Sequence, residues 1–260
     1  MAKKMRLEAH RGVGTNAPEN TMPAFELAVA EGYDMIELDL KFTADDCCVV
    51  LHDGDIARTA RTRDGERVEN AAISALTLSE LRERGLDFGI WKGEAFRGTS
   101  IPTFAEVLTF AKGAGIPLKI DNCYERFTRE QHELLYCLIE EADMGELIGF
   151  TCASTDSVAE IAARFPKAEV HYDGVINSER VEALKRAAEG HRTTVWIPMR
   201  SGATSWVSES IRRASAEYVD ELHAQGFEVG IWILHSEEEY AAAVEYGADI
   251  IETDGALKPQ

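Results

Sequence analysis

Met35-Ile36-Glu37-Leu38-Asp39-Leu40-Lys41-Phe42 is the stretch on which the fold turns. Apolar residues at 35, 36, 38 and 40 surround two carboxylates, which predicts an interior strand over Met35–Phe42. In an extended chain Glu37 and Asp39, two apart, leave the strand on the same side. An unpaired carboxylate is costly on an interior strand, so this pair marks a candidate site. Just beyond, Ala44-Asp45-Asp46-Cys47 predicts a turn and Val49-Val50-Leu51 a returning strand. A hairpin centred between Asp45 and Asp46 sets Asp39 opposite His52, and residues opposite one another in an antiparallel pair share a face. The spacing therefore predicts an imidazole beside a hard-cation site.

Outward from this strand, apolar runs alternate with helical patterns. Further strands are predicted at Arg6–His10, Pro117–Asp121, Leu147–Cys152, Ala168–Asp173, Thr193–Pro198, Glu228–Leu234 and Asp249–Asp254. Helical spacing covers Met22–Ala30, Phe104–Lys112, Arg129–Glu141, Ser157–Arg164, Glu179–Glu189, Ser208–Gln225 and Ser236–Tyr246. Glycines 32, 113, 115, 226 and 247 follow helices as stop signals. This alternation predicts an α/β fold, a parallel (β/α)₈ TIM-type barrel forming one domain over residues 1–260. A doubly wound open sheet is the alternative, but His10-Arg11-Gly12-Val13-Gly14 resembles its glycine-rich phosphate loop only superficially. Residues 53–100 do not fit the alternation. They predict an insertion after the second strand, with a short helix near Leu78–Arg84, lying over the C-terminal mouth.

The 260 residues include 45% hydrophobic ones, enough for a full core, and carry 27 basic against 46 acidic groups, a net charge of −19. Such a surface repels nucleic acid and anionic membranes, so neither is expected as a partner. Cysteines 47, 48, 123, 137 and 152 are odd in number and show no framework spacing. They read as reduced thiols in a cytoplasmic protein. No signal-peptide pattern precedes His10 and no run of 18 apolar residues occurs, so no membrane span is expected.

In a barrel the strand ends converge on one mouth. His10 ends the first strand, Glu37 and Asp39 lie on the second, and Asp121 ends the next. Three converging carboxylates repel one another unless a cation sits among them, and an all-oxygen set suits Mg²⁺ or Ca²⁺. Zinc would normally recruit the histidines or cysteines. His132, His191 and His223 sit in polar helical or loop contexts and read as surface residues. His171 and His235 fall on the mouth side. Trp196 reads as core, and Trp232 as a wall of the pocket.

Taken in order, the motifs resemble the glycerophosphodiester phosphodiesterases. They are His10-Arg11-Gly12, Pro18-Glu19-Asn20-Thr21, Ile36-Glu37-Leu38-Asp39, Val49-Val50-Leu51-His52-Asp53, Arg58-Thr59, Leu76–Leu81, Ile101–Leu108, Trp232 and Thr253-Asp254. The likeness spans nearly the whole chain and is densest over residues 9–108. It implies a barrel that hydrolyses glycerophosphodiesters to glycerol 3-phosphate and an alcohol, with a small-molecule phosphodiester as partner and Mg²⁺ or Ca²⁺ as cofactor. By the same resemblance, Glu37 and Asp39 bind the metal, with Asp121 in place of the family's usual glutamate. His10 and His52 become general acid and base, in either assignment, and Arg11 holds the phosphate. The attack implied by the resemblance is by the glycerol 2-hydroxyl, giving a cyclic phosphate that water then opens. The family's lysine two residues past the third ligand is here Cys123. Lys119 shares that face and is the candidate substitute for phosphate binding, about two residues deeper, roughly 6–7 Å. Ile233 and Leu234 replace the threonine and asparagine that usually follow the tryptophan. The competing readings are a sphingomyelinase D-type phospholipase, which has an aspartate as third ligand, and a phosphate-ester-binding homologue without catalysis. An aldolase-like barrel ranks lower, because no Schiff-base lysine stands out.

Overall fold

A computed structural model describes residues 5–83, 85–121, 124–200 and 212–257. Eight parallel strands close a barrel. In chain order these are β1 (Arg6–Ala9), β2 (Met35–Leu38), β5 (Leu118–Ile120), β6 (Ile148–Cys152), β7 (Glu169–Tyr172), β8 (Thr193–Pro198), β9 (Glu228–Leu234) and β10 (Ile250–Thr253). β3 (Leu40–Phe42) and β4 (Cys48–Val50) form a separate antiparallel hairpin. Outside the strands lie α1 (Met22–Glu31), α3 (Phe104–Ala114), α4 (Arg129–Glu141), α5 (Thr155–Arg164), α6 (Ser178–Ala187), α7 (Ala216–Ala224) and α8 (Glu237–Tyr246), while α2 (Leu78–Glu83) sits in the insertion. The expected (β/α)₈ barrel is thus the observed fold. No helix among the described residues is long and apolar enough to cross a membrane.

Local chemistry explains the boundaries. Thr103 and Glu106 form a reciprocal capping box at the start of α3, and Thr128 with Gln131 does the same for α4. α7 starts at Ala216 because Ser215 caps it, accepting from the Tyr218 amide. The expected helix from Ser208 is therefore shorter within the described residues, and positions 208–211 lie outside them.

The strand expected over Met35–Phe42 breaks at Asp39. There the amide turns to the Asn20 carboxamide at 3.4 Å, and the carbonyl accepts from Leu51 N–H at 3.0 Å. β2 stays in the barrel, while β3 leaves it to pair with β4. The hairpin register also corrects the expectation. Leu40 faces Val50 and Phe42 faces Cys48, so Asp39 lies across from Leu51 and not from His52. The loop has three residues, not two, because Asp46 takes a left-handed φ of 53° and its amide bonds the Thr43 carbonyl at 3.1 Å. An odd loop shifts the pairing by one residue.

The barrel core is apolar on the helix side, from Phe25, Ile36, Leu118, Phe150 and Ile251 among others. Inside, toward the mouth, charge replaces hydrocarbon. Glu8 pairs in register with Glu252, and Glu37 with Lys119. Residues of the insertion pack on the hairpin in a second apolar cluster, Ile56, Ile73, Leu81 and Phe88 with Val49 and Leu51. It is tied to the β1–α1 loop by Lys92 Nζ, which donates to the Gly14 carbonyl at 2.7 Å.

Candidate active site

His10 and Arg11 stand at the turn out of β1. Arg11 has φ of 53° and Gly12 of 76°, so the chain doubles back onto α1. A Cβ at Gly12 would lie 2.8 Å from the Ala24 backbone, which restricts this position to glycine. The turn aims the Arg11 amide at Glu37 Oε2, 2.7 Å away. The Arg11 guanidinium lies 2.9 Å from Glu19 and 3.4 Å from Asp39.

The structure brings Glu37, Asp39 and Asp121 together as the sequence pattern suggested: one oxygen of each lies within 4.8 Å of the others. Glu37 and Asp39 are buried. Asn20, also in the left-handed region at φ 55°, donates its Nδ2–H to Asp39 Oδ2 at 2.8 Å. Burial first, then the charges of Asp39, Asp121 and Glu252, pushes the Glu37 carboxyl well above the usual range. The Asp121 carboxyl is raised too, by burial and by Glu252 and Asp39, against the pull of Lys119. This trio carries repulsion that a hard dication would reverse, and its all-oxygen donors fit Mg²⁺ or Ca²⁺.

Each candidate imidazole is tethered by a carboxylate. His10 Nδ1 meets Asp254 at 2.5 Å, and its Nε2 lies 3.7 Å from Glu252 and 4.0 Å from Glu37. Burial disfavours its charged form, but the bond to Asp254 and the Glu252 charge outweigh burial and raise its pKa. His52 Nδ1 meets Asp53 at 2.7 Å, not Asp39. The two rings nevertheless border one open cavity of about 190 Å³, together with Arg11, Lys119, Asp121 and Trp232. On these tethers each ring presents Nε2 as its free nitrogen.

Lys119 stands differently from a free phosphate ligand. It is 1% exposed, with Nζ 2.6 Å from Glu8, 2.9 Å from Glu252 and 3.7 Å from the centre of the Trp196 ring. Burial works against its charge, but Glu252 and Glu8 hold the ammonium in place. The Trp196 indole donates to the fully buried His171 at 3.0 Å, below the cavity. A Cβ at Gly230 would come within 2.4 Å of Trp196, so the glycine leaves room for the ring. Trp196 thus borders the cavity as well as the core, together with Thr151 and Asp173.

Glu8 and Glu252 escaped the sequence reading, as did the tethering role of Asp254. The signal was present. Ile251-Glu252-Thr253-Asp254 repeats the pattern of Ile36-Glu37-Leu38-Asp39, carboxylates two apart on an apolar strand. Cys123 lies outside the described residues.

The chain matches the Glycerophosphoryl diester phosphodiesterase family over residues 10–256. A glycerophosphodiester phosphodiesterase of Caldanaerobacter subterraneus subsp. tengcongensis is 44% identical over 99 residues, 38% of this chain and 37% of that protein. Lysophospholipase D GDPD1 of Rattus norvegicus is 26% identical over 282 residues, covering 96% of this chain and 83% of that one. Among solved structures, an Oleispira antarctica phosphodiesterase in complex with the product sn-glycerol-3-phosphate superposes with a TM-score of 0.74 at 22% identity, covering 96% of this chain and 93% of that one. At that identity the superposition speaks for the fold.

Proposed function

This chain belongs to the glycerophosphoryl diester phosphodiesterase family, and on that premise we propose that it hydrolyses glycerophosphodiesters to glycerol 3-phosphate and an alcohol, with a divalent cation as cofactor. The observation that carries the proposal is the convergence of Glu37, Asp39 and Asp121 beside a cavity bordered by two carboxylate-tethered imidazoles. Glu37, Asp39 and Asp121 would hold the cation. When bound, a cation of this kind supplies Lewis acidity toward the phosphoryl oxygens and offsets the charge that develops on them.

The residues of the chain do the rest. Arg11, its amide fixed on Glu37, offers a forked guanidinium that orients the phosphate. One imidazole Nε2 takes the proton of the attacking hydroxyl, from water or from the glycerol 2-position, and the other delivers a proton to the leaving alkoxide; where the 2-hydroxyl attacks, the same pair then serves water as it opens the cyclic phosphate, the 2-oxygen leaving with a proton. Both rings are preset for this, because a carboxylate on Nδ1 fixes the orientation of each. Lys119 adds positive charge beneath the phosphate without leaving Glu8 and Glu252. Trp232 packs against the substrate, and residues 53–100 bring His52 to the mouth. The acidic surface favours a small-molecule substrate over nucleic acid, and the proposed setting is the cytoplasm.

The test is a phosphodiester panel with metal add-back. Glycerophosphocholine is expected to release glycerol 3-phosphate in Mg²⁺ or Ca²⁺, to stop after chelation and to resume on re-addition. Release that persists in excess chelator, or no turnover of any glycerophosphodiester, overturns the proposal. A lysophospholipid in the same panel tests the second reading, which the rat relative's name favours. Faster choline release from that lipid than from glycerophosphocholine would select it.

A second prediction concerns Asn20. Its carboxamide orients Asp39 from behind. Asn20→Ala is expected to weaken divalent-cation affinity about 10-fold or more, as the loss of a hydrogen bond to a ligand does. Titration calorimetry with Mg²⁺ reads this directly, and an unchanged affinity would remove Asn20 from the site.

A further inference from the structure

Five groups of alternating charge run without a break from the candidate metal centre to the imidazole of His52, which stands just before the insertion. Asp39 lies 3.4 Å from Arg11 Nε, and Arg11 Nη1 donates to Glu19 Oε1 at 2.9 Å. Arg58 Nη2 and Nη1 donate to the two Glu19 oxygens, each at 2.7 Å. Arg58 Nε donates to Asp53 Oδ2 at 2.6 Å, and Asp53 Oδ1 bonds His52 Nδ1 at 2.7 Å. Arg58 sits at the centre of this chain and does not border the cavity.

We infer that Arg58 is a positioning residue: its guanidinium fork fixes His52, at the foot of the insertion, relative to Arg11 of the β1–α1 loop. The inference rests on the reaction proposed above. A single exposed ion pair would be too weak for such a role. Arg58 instead makes a bidentate pair with one carboxylate and a third bond to another, and those carboxylates are only 14% and 24% exposed. Although burial opposes their charge, the Arg58 bonds hold both Glu19 and Asp53 below the usual carboxylate range.

Two separable effects follow. Asp53 loses the bond that fixes its carboxylate, and so His52 loses its orientation. Glu19 loses the cation that shares its Oε1 with Arg11, so its charge competes with the ester phosphate for the Arg11 guanidinium. The first effect falls on kcat and the second on binding. A lysine keeps the charge at position 58 but cannot span Glu19 and Asp53 with a planar fork.

The experiment uses the full chain in Mg²⁺, with glycerophosphocholine turnover and calorimetric binding of glycerol 3-phosphate. Arg58→Gln is expected to lower kcat about 10- to 100-fold, as misplacement of a reacting group does. It is also expected to raise KM and weaken glycerol 3-phosphate affinity about 10-fold, with the protein still folded at the assay temperature. Arg58→Lys, the variant to use if Arg58→Gln does not fold, recovers less than half of the lost kcat. In a His52→Ala background Arg58→Gln costs no further kcat, because its effect already runs through that ring, but the loss of affinity persists. Multiplicative kcat losses in the double variant, or wild-type kcat and affinity in Arg58→Gln, overturn the role of Arg58. A wild type that binds glycerol 3-phosphate but turns over no glycerophosphodiester overturns the proposed reaction instead, and the affinity shift still judges Arg58.

Discussion

His10→Ala and His52→Ala are each expected to lower turnover about 10³-fold, within the range that general acid–base groups contribute. The two variants differ in everything else. His52 is 43% exposed and its ring bonds its neighbour Asp53 among the described residues, so its removal is expected to leave the melting temperature where it was. His10 is 12% exposed and holds Asp254, which also reaches His235 at 3.4 Å. Removing that ring leaves Asp254 without its bond at Nδ1 and is expected to lower stability by about 1–3 kcal/mol. Steady-state kinetics beside thermal unfolding separates the two. The double variant turns over little more slowly than either single one, since one proton cannot be moved usefully without the other. Near-wild-type kcat in either single variant would withdraw that ring from the chemistry.

Glu37→Gln is the second large effect. Glu37 belongs to both groupings of close ligand atoms, with Asp39 and Asp121 on one side and with His10 and Glu252 on the other. Glutamine keeps the shape and can still accept from the Arg11 amide, but it carries no charge. Divalent-cation affinity is expected to fall by more than about 10²-fold, taking turnover with it. Stability moves the opposite way. A carboxyl whose pKa is raised in the folded state binds its proton more tightly there than in the unfolded chain. Its ionised form therefore opposes folding, and the penalty fades as the pH falls through the raised value. The metal-free variant, neutral at every pH, should melt at or above the metal-free wild type near neutral pH, and the gap should narrow on acidification. Metal titration and melting curves with and without Mg²⁺ test this. Wild-type Mg²⁺ affinity in Glu37→Gln would remove the centre of the site.

The barrel was legible because its β-runs are short and apolar and most are followed by an amphipathic helix with a capping residue, all of which are local signals. Thr193–Pro198 and Glu228–Leu234 need no distant partner to be recognised, and the structure places them at the same bounds. The carboxylates at 37 and 39 were legible for a related reason: charge in an apolar strand stands out. What stayed hidden depends on pairing across the chain. Glu8 meets Glu252 only because the first and last strands close the barrel, and no local pattern shows that Lys119 lies between them. The hairpin register depended on one residue, Asp46, entering the left-handed region, which a centred turn does not anticipate. Arg58 was visible as part of a motif, but its partners, Glu19 and Asp53, come from two different segments.

The buried layer of Lys119, Glu8, Glu252 and Trp196 has a consequence for traffic. It floors the cavity beneath the candidate site. On the proposed reaction, ester, water and both fragments would come and go from the side opposite that floor.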